Sequence, residues 1–245
     1  MIRAAVVAAA IAALVTPAAS GDDLVRLGRQ LYVQGCISCH GKDARGVSPH
    51  GPARGAGEAQ GEGPSLVGVG ALAADFYLRT GYMPLLRATE RPHRRTSPYS
   101  DHELDALVAY VASLGGPRVP HTDPARGSVS QGLRLYTENC APCHQIVGEG
   151  GLVTGGLAPP LHEATATQIA EAVRIGPQLM PRFPASRLTD RDVDSIARYV
   201  LSTRAPDDRG GWGIGHLGPV PEGLVAWLVA GAALVGVARL IGARS

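Results

Sequence analysis

Two five-residue segments of this chain combine thiols and an imidazole at the same spacing. Residues 36–40 read Cys-Ile-Ser-Cys-His and residues 140–144 read Cys-Ala-Pro-Cys-His, and together they hold all 4 cysteines of the 245-residue chain. Two thiols separated by two residues can each add to one vinyl group of a haem, and the adjacent histidine then lies beneath the ring as an axial iron ligand. The spacing therefore predicts two haems c, covalently attached through Cys36, Cys39, Cys140 and Cys143, with His40 and His144 as iron ligands.

Two other uses of such cysteine pairs fit the sequence less well. A thioredoxin-like redox motif needs no following histidine and comes after a strand in a βαβ pattern, which the sequence lacks. A closed structural zinc site can use Cys-x-x-Cys pairs, but it does not require a histidine beside each pair. Two motifs of the same form favour haem attachment over both.

The N-terminus has the layout of a secretory signal peptide, which agrees with haem c because this cofactor is attached outside the cytoplasm. A positive charge at Arg3 precedes a short apolar run, 4–15, and small residues at 18–20. The run is too short for a comfortable membrane span. We expect residues 1–20 to be removed, and an uncleaved anchor is the alternative.

A second apolar stretch, 224–241, lies near the C-terminus and is just long enough to cross a bilayer. It predicts a transmembrane helix over 222–242, with a buried helix of a soluble domain as the alternative. Arg239 and Arg244 follow the apolar centre without any acid, so the positive-inside rule places the tail, 243–245, in the cytoplasm. The haem motifs are then expected on the outer face of the cell membrane.

Composition restricts the function only loosely. The formal net charge of +2 excludes neither acidic nor basic partners, and the absence of a basic patch argues against nucleic acid. The 32 glycines and 19 prolines, with few aromatic residues, predict a mostly helical protein rich in loops.

The region between the two termini is a tandem repeat. A glycine and a tyrosine precede each motif at the same distances, as Gly28 and Tyr32 do in the first half and Gly132 and Tyr136 in the second. Residues four apart share a helix face. Each half ends in a second amphipathic helix that begins with Ser or Thr and has an acid three residues on. This is the layout of a capping box, and it predicts helix starts at Ser100 and Thr189. No strand alternation stands out, so the fold class is all-α.

Methionine usage suggests the second ligand of each iron. Besides the initiator, the chain has only Met83 and Met180, one in each half, and both lie between the motif and the closing helix and precede a proline. Proline favours an extended conformation in the preceding residue, which suits a loop methionine that points its sulfur at a ring. His/Met ligation leaves no open iron position and favours electron transfer over peroxide chemistry.

Each axial histidine also needs a partner for its other ring nitrogen. The equivalent segments 63–66 and 158–161 offer the backbone carbonyls of Pro64 and Pro159 for this purpose, and an ordinary turn is the alternative use of these prolines.

With these motifs in place, each half resembles a class I cytochrome c domain. The whole chain is similar to the dihaem cytochrome c subunits of actinobacterial menaquinol–cytochrome c reductases, also called cytochrome bcc complexes. The most specific matches are 36–41, 63–70, 176–181 and 218–227. The expected organisation is a signal peptide (1–20), cytochrome c domain 1 (21–117), a linker (118–126), cytochrome c domain 2 (127–205), a linker (206–221), the transmembrane helix (222–242) and a tail (243–245).

The resemblance implies membership of a respiratory oxidoreductase complex with a cytochrome b and a Rieske iron–sulfur protein. Electrons are expected to pass from the Rieske centre to the His40/Met83 haem, then to the His144/Met180 haem, and then to the copper centre of a haem–copper oxidase. The chain would then be the cytochrome c subunit of a quinol–cytochrome c reductase, without substrate chemistry of its own. A free-standing membrane-anchored dihaem carrier and a dihaem peroxidase are the alternatives.

Two features depart from the pattern of the family. The stretch 48–62 looks longer than the corresponding loop of the family, and Tyr82 stands where an arginine is expected before the first axial methionine. A cluster of arginines within 87–95 has a solvated loop as its simplest interpretation and docking of an acidic partner as the alternative.

Overall fold

The computed structural model describes residues 21–47, 63–86, 90, 92–204 and 219–243. The predicted signal peptide, 1–20, and the long stretch 48–62 lie outside the described residues. The helices of the first half are α1 (Gly21–Gly35), α2 (Ile37–His40), α3 (Gly70–Arg79) and α4 (Asp101–Ser113).

The second half repeats this order and adds a hairpin. A 3-10 turn at Pro124–Arg126 precedes it. Its elements are α5 (Val129–Asn139), α6 (Ala141–His144), β1 (Gly151–Val153), β2 (Gly156–Ala158), α7 (Ala166–Ile175) and α8 (Asp190–Ser202). The mostly helical fold confirms the predicted fold class. The two antiparallel strands pair Leu152 with Leu157 and were not predicted, since strands of three residues are too short to show an alternating pattern.

In each half the first and last helices touch through a glycine. A Cβ atom on Gly28 of α1 would lie 1.9 Å from the carbonyl oxygen of Ala106 in α4. A Cβ atom on Gly132 of α5 would lie 2.0 Å from the carbonyl oxygen of Ser195 in α8. Any side chain there would collide with backbone, so these two glycines allow the helix pairs to cross in direct contact.

One helical turn beyond each glycine, a buried tyrosine continues the same face. Tyr32 packs against Tyr110 of α4 with ring centroids 5.1 Å apart, and Tyr136 packs against Tyr199 of α8 at 5.2 Å. Both Tyr32 and Tyr136 are only 1% exposed and belong to the hydrophobic cores of their halves. The shared helix face predicted from the sequence repeat is therefore the face that each half buries.

The predicted capping boxes are present at the start of both closing helices. In α4 the Ser100 hydroxyl accepts from the backbone N–H of Glu103, whose carboxylate accepts from the backbone N–H of Ser100 at 2.8 Å. In α8 Thr189 and Asp192 make the same reciprocal pair, with 2.9 Å between Thr189 N and the Asp192 carboxylate. These bonds satisfy N–H groups that a helix start leaves without partners, so they determine where α4 and α8 begin.

The two halves meet through α3 and α7. Near this contact, the guanidinium of Arg94 donates to the Gln168 side chain of α7 at 2.8 Å, and the Gln178 amide donates to the carbonyl oxygen of Pro92 at 3.2 Å. Arg94 belongs to the arginine cluster within 87–95, for which a solvated loop was expected, and in the structure it instead serves this internal contact. Arg87 and Arg91 of that cluster lie outside the described residues.

The C-terminal part forms a separate unit, the helix α9 (Pro219–Gly242). Its segment Gly223–Gly242 is long and apolar enough to cross a membrane, with a mean hydropathy of 2.2. Large apolar side chains, among them Leu224, Trp227 and Leu228, lie on the surface of this helix.

Candidate haem-attachment sites

The first motif lies on the single helical turn α2, which follows α1 directly. Cys36 lies between α1 and α2. Its N–H donates to the Tyr32 carbonyl at 2.8 Å, and the His40 N–H donates to the Cys36 carbonyl at 2.9 Å. The Tyr32 hydroxyl donates to the carbonyl oxygen of Gly41 at 2.5 Å, which joins the end of the turn to the core helix. The turn thus presents Cys36, Cys39 and His40 from one short, doubly anchored segment.

The imidazole of His40 is held by the segment that follows the undescribed stretch. Its Nδ1 lies 2.8 Å from the carbonyl oxygen of Pro64. A carbonyl oxygen only accepts, so Nδ1 carries the proton and Nε2 keeps its lone pair for a metal. Gly63 makes the approach possible, because a Cβ atom there would lie 2.3 Å from the Cys39 carbonyl oxygen.

The second motif repeats this arrangement on α6. The Cys140 N–H donates to the Tyr136 carbonyl at 2.7 Å, and the Tyr136 hydroxyl donates to the Gln145 carbonyl at 2.9 Å. The Nδ1 atom of His144 lies 3.0 Å from the carbonyl oxygen of Pro159, so this imidazole also keeps its Nε2 lone pair. Pro159 directly follows β2, and the unpredicted hairpin therefore has a role in the site: it carries the carbonyl to the ring.

Burial shapes the electrostatics of the motifs. It raises the pKa of the Cys36 thiol to about 11 and that of the Cys140 thiol to about 12. It also lowers the pKa of His144. The thiols and the imidazole are thus neutral near pH 7, and a neutral imidazole is the form that binds iron.

The two methionines lie on loops that follow equivalent helices. The Met83 N–H donates to the Tyr77 carbonyl of α3 at 3.0 Å, and the Met180 N–H donates to the Pro177 carbonyl, just after α7, at 3.0 Å. Both side chains are partly buried, and Met180 packs against the core of the second half. The structure thus places Met83 in the loop after α3 in the first half and Met180 in the loop after α7 in the second half.

Two arginines hold these loops: Arg95, which the arginine cluster within 87–95 led us to expect in a solvated loop, and Arg174, which the sequence did not single out. Arg95 donates through Nε to the Gly81 carbonyl at 2.9 Å and through Nη2 to the Pro84 carbonyl, so its bonds flank Met83. Arg174 of α7 donates to the Phe183 carbonyl at 3.1 Å and to the Leu188 carbonyl at 2.7 Å. The two arginines occupy unrelated places in the repeat, so the alignment of the halves gives no signal for them.

The donor set fits haem c. All 4 cysteines are free thiols, two in each motif, and both motif histidines have Nδ1 engaged and Nε2 available. Within the described parts of the chain, no group of three or more His, Cys, Asp or Glu side chains is placed to hold a metal ion by itself. Thiols for two thioether bonds and one imidazole per motif match covalent haem attachment with a histidine ligand.

Comparison with protein families divides the chain in the same way. Residues 25–115 match the family described as "Cytochrome c", and residues 127–200 match the family "Cytochrome C oxidase, cbb3-type, subunit III". Each match contains one motif, one methionine and one pair of crossing helices. The chain therefore has two cytochrome c domains, called the first and second domain below.

Individual relatives extend the similarity over almost the whole chain. The "Cytochrome bc1 complex cytochrome c subunit" of Corynebacterium diphtheriae is 36% identical, covering 91% of this chain and 82% of that protein. The protein of the same name from Mycobacterium bovis is 34% identical and covers 100% of this chain and 89% of its own length. The "Cbb3-type cytochrome c oxidase subunit CcoP" of an Azospirillum species is 27% identical over 71% of this chain.

Proposed function

Because the chain belongs to the family of cytochrome bc1 complex cytochrome c subunits, we propose that it relays electrons from a Rieske iron–sulfur centre, through two covalently bound haems c, to a haem–copper terminal oxidase. It acts as one component of an oxidoreductase complex and has no substrate chemistry of its own. The observation that carries the proposal is the duplicated site, in which each motif histidine is held through Nδ1 by a prolyl carbonyl.

Each residue of the site has a proposed role. The thiols of Cys36 and Cys39, and those of Cys140 and Cys143, form the thioether bonds. A haem bound in this way supplies a one-electron redox centre. His40 with Met83, and His144 with Met180, are the axial pairs.

The prolyl carbonyls and the filled iron positions favour electron transfer. Pro64 and Pro159 fix the tautomer and the orientation of their histidines and make the imidazoles better donors to the metal. An iron with both a histidine and a methionine has no vacant position for peroxide. This supports a relay over the peroxidase alternative.

The partners and the orientation are part of the same proposal. We place domain 1 at 21–117 and domain 2 at 127–205, on the outer face of the membrane, with α9 as a single span and the C-terminus in the cytoplasm. A cleaved signal peptide over 1–20 would deliver the domains to that face. Cytochrome b and a Rieske protein are the proposed partners within that complex, and similarity to a cbb3-type oxidase subunit supports an oxidase as acceptor.

Purification from native membranes in a mild detergent tests the assembly. A tagged chain is expected to co-purify with a cytochrome b and a Rieske protein, together with the oxidase when the detergent is mild enough. Isolation of the chain alone, with its haem attached, would favour the free-standing carrier instead.

Paired cysteine variants test the haem count and the order of transfer. C36A/C39A and C140A/C143A are each expected to leave one haem per chain, against two in the unchanged protein, by haem staining and quantitative absorbance. Flash kinetics on the intact complex should show the first-domain haem reduced before the second. The reverse order would contradict the route, and peroxide turnover by a vacant iron would support the peroxidase.

A further inference from the structure

A carboxylic acid is buried at the contact between the two domains. Glu171 of α7 is 0% exposed, and neither of its carboxyl oxygens has a hydrogen-bond partner. Asp75, a residue of α3 in the first domain, faces it across the contact and is itself only 9% exposed. The site of the proposed relay uses neither residue.

The missing hydrogen bonds have a simple chemical cause. Ionised carboxylates only accept, so Glu171 and Asp75 cannot bond to each other when both are charged. A proton on either group turns it into a donor and allows one hydrogen bond between them. Two carboxylates that share a buried site hold one proton strongly for this reason.

The cation that acts on Glu171 does not neutralise it. Arg79 of α3 faces Glu171, but its Nε donates to Asp75 at 2.8 Å and its other nitrogens contact Asp101 and Asp105. One guanidinium is thus shared among three aspartates. Burying an unpaired charge is strongly unfavourable, so the Glu171 carboxyl is expected to take up a proton instead.

Other charged groups around α7 are engaged elsewhere. On α8, Asp190 pairs with Arg174, Asp194 lies 3.9 Å from Arg126, and Arg198 donates to backbone carbonyls before α5. Arg94, at the edge of the contact, donates to Gln168. Asp75 and Arg79 are therefore the charged groups that act on Glu171.

We propose that Asp75 and Glu171 form a proton-binding site between the two cytochrome c domains, so that docking of the domains takes up one proton and their separation releases it. The site joins residues of α3 and α7, the helices through which the domains meet. The contact thereby becomes sensitive to pH, independently of haem ligation.

The direction of the pH dependence follows from the burial. Burial first, and then the charge of Asp75, raise the pKa of Glu171 from 4.5 to about 9, although Arg79 opposes the shift. In separated domains the same carboxyl is exposed to water and ionises near its ordinary pKa. Docking is therefore strongest at low pH, weakens as the pH rises, and stops changing above about 9, where both states are ionised.

The test uses the full haem-loaded chain in detergent, with nitroxide labels on each domain. An unnatural keto amino acid at exposed His102 and Arg191 carries the labels, because cysteine labels would compete with the motif thiols. Pulsed electron spin resonance then gives the ratio of separated to docked domains. In the unchanged protein this ratio should rise by up to about tenfold per pH unit between pH 4.5 and about 9, and it should be constant outside that range.

Three variants separate this site from general effects of pH. E171Q, a neutral mimic of the protonated acid, should abolish the pH dependence, whereas the matched control E163Q, at an exposed glutamate of the same domain, should keep it. D75N removes the repulsion between the Asp75 and Glu171 carboxylates. The pH above which the ratio of separated to docked domains stops changing should therefore be lower in D75N than in the unchanged protein. This variant still tests the proposal if E171Q folds poorly.

Infrared spectroscopy checks the proton directly. A carbonyl band of a protonated carboxyl, sensitive to deuterium exchange, should be present at neutral pH in the unchanged protein and in E163Q and absent in E171Q. The same pH dependence in E171Q as in the unchanged protein, or the same band, would overturn the proposal. So would a domain separation that does not depend on pH.

Discussion

In the first domain the loop that carries Met83 is held by Tyr82 and Arg95, whereas in the second domain the loop that carries Met180 is held by Phe183 and Arg174. Tyr82 is 7% exposed and packs edge-on against Phe76 of α3, with centroids 5.8 Å apart. Phe183 is 3% exposed, and its N–H donates to the Val173 carbonyl of α7 at 2.9 Å. The two domains therefore perform one task with different side chains.

The difference begins with two arginines that do occupy equivalent places. Arg79 ends α3 and Arg174 lies in the last turn of α7, and each contacts the first residue of its closing helix, Asp101 or Asp190. Arg174 also reaches the loop carbonyls, but Arg79 is drawn to Asp75 and Asp105 instead. The first domain then needs Arg95, from beyond the loop, to supply donors to those carbonyls. A repeated position thus keeps its residue type while its partners change.

The largest expected effect concerns a feature that the two domains share, the close helix crossing at Gly28 and Gly132. G28A and G132A should each lower the free energy of unfolding by about 3 kcal/mol or more, because the new Cβ atom would overlap a backbone oxygen of the crossing helix. Urea unfolding in detergent, followed by circular dichroism, measures the loss. G21A, where no atom lies within 4 Å of the added Cβ, is the matched control and should change little. Tolerance of either glycine variant would refute the shared close crossing.

The next effect concerns a feature in which the two domains differ, the arginine that holds each methionine loop. R95Q should loosen only the Met83 loop and R174Q only the Met180 loop, at about 1–3 kcal/mol each, because buried carbonyls lose their donors. Carbon monoxide binding to the reduced protein should report the weakened methionine, at one haem in each variant. Arg118 is exposed, and R118Q is the control; its reduced haems should bind no carbon monoxide. If one variant bound carbon monoxide at both haems, the two methionine loops would not be held independently.

The smallest effect concerns the two capping boxes. Asp192 also accepts from the Gln131 side chain of α5 at 2.8 Å, which ties the start of α8 to its partner helix. Burial opposes its charge, but the hydrogen bonds from Thr189 and Gln131 prevail and hold the pKa of Asp192 below its usual range. D192N should therefore cost about 0.5–1 kcal/mol near neutral pH.

The pH profile checks the cause of this cost. A depressed pKa contributes stability above the ordinary range of aspartate, and this contribution is lost as the pH falls through the folded-state value. Unfolding of D192N and of the unchanged protein should therefore converge in acid. E103Q, in the equivalent box of the first domain, is expected to show the weaker dependence, since the Glu103 carboxylate accepts from Ser100 and, among the described residues, from no side chain of a partner helix. Equal profiles would argue that the link to Gln131 is without effect.

Sequence patterns of short range predicted the structure well. The capping boxes at Ser100 and Thr189, the buried face through Tyr32 and Tyr136, and the apolar helix near the C-terminus all appear in the structure. Each depends on residues within a few positions of one another, so composition and spacing are enough to reveal it. The hairpin of the second domain escaped prediction, because its strands are short and rich in glycine.

By itself, the sequence determined the chemistry of attachment: two thiols and an imidazole, twice, at a spacing set by a single helical turn. Only the tertiary structure decided which arginine holds each methionine loop and that Glu171 is enclosed opposite Asp75. Those contacts join residues that are distant in the chain, and their energies depend on burial. A local pattern does not encode burial, which arises only when helices from both domains exclude water from the same place.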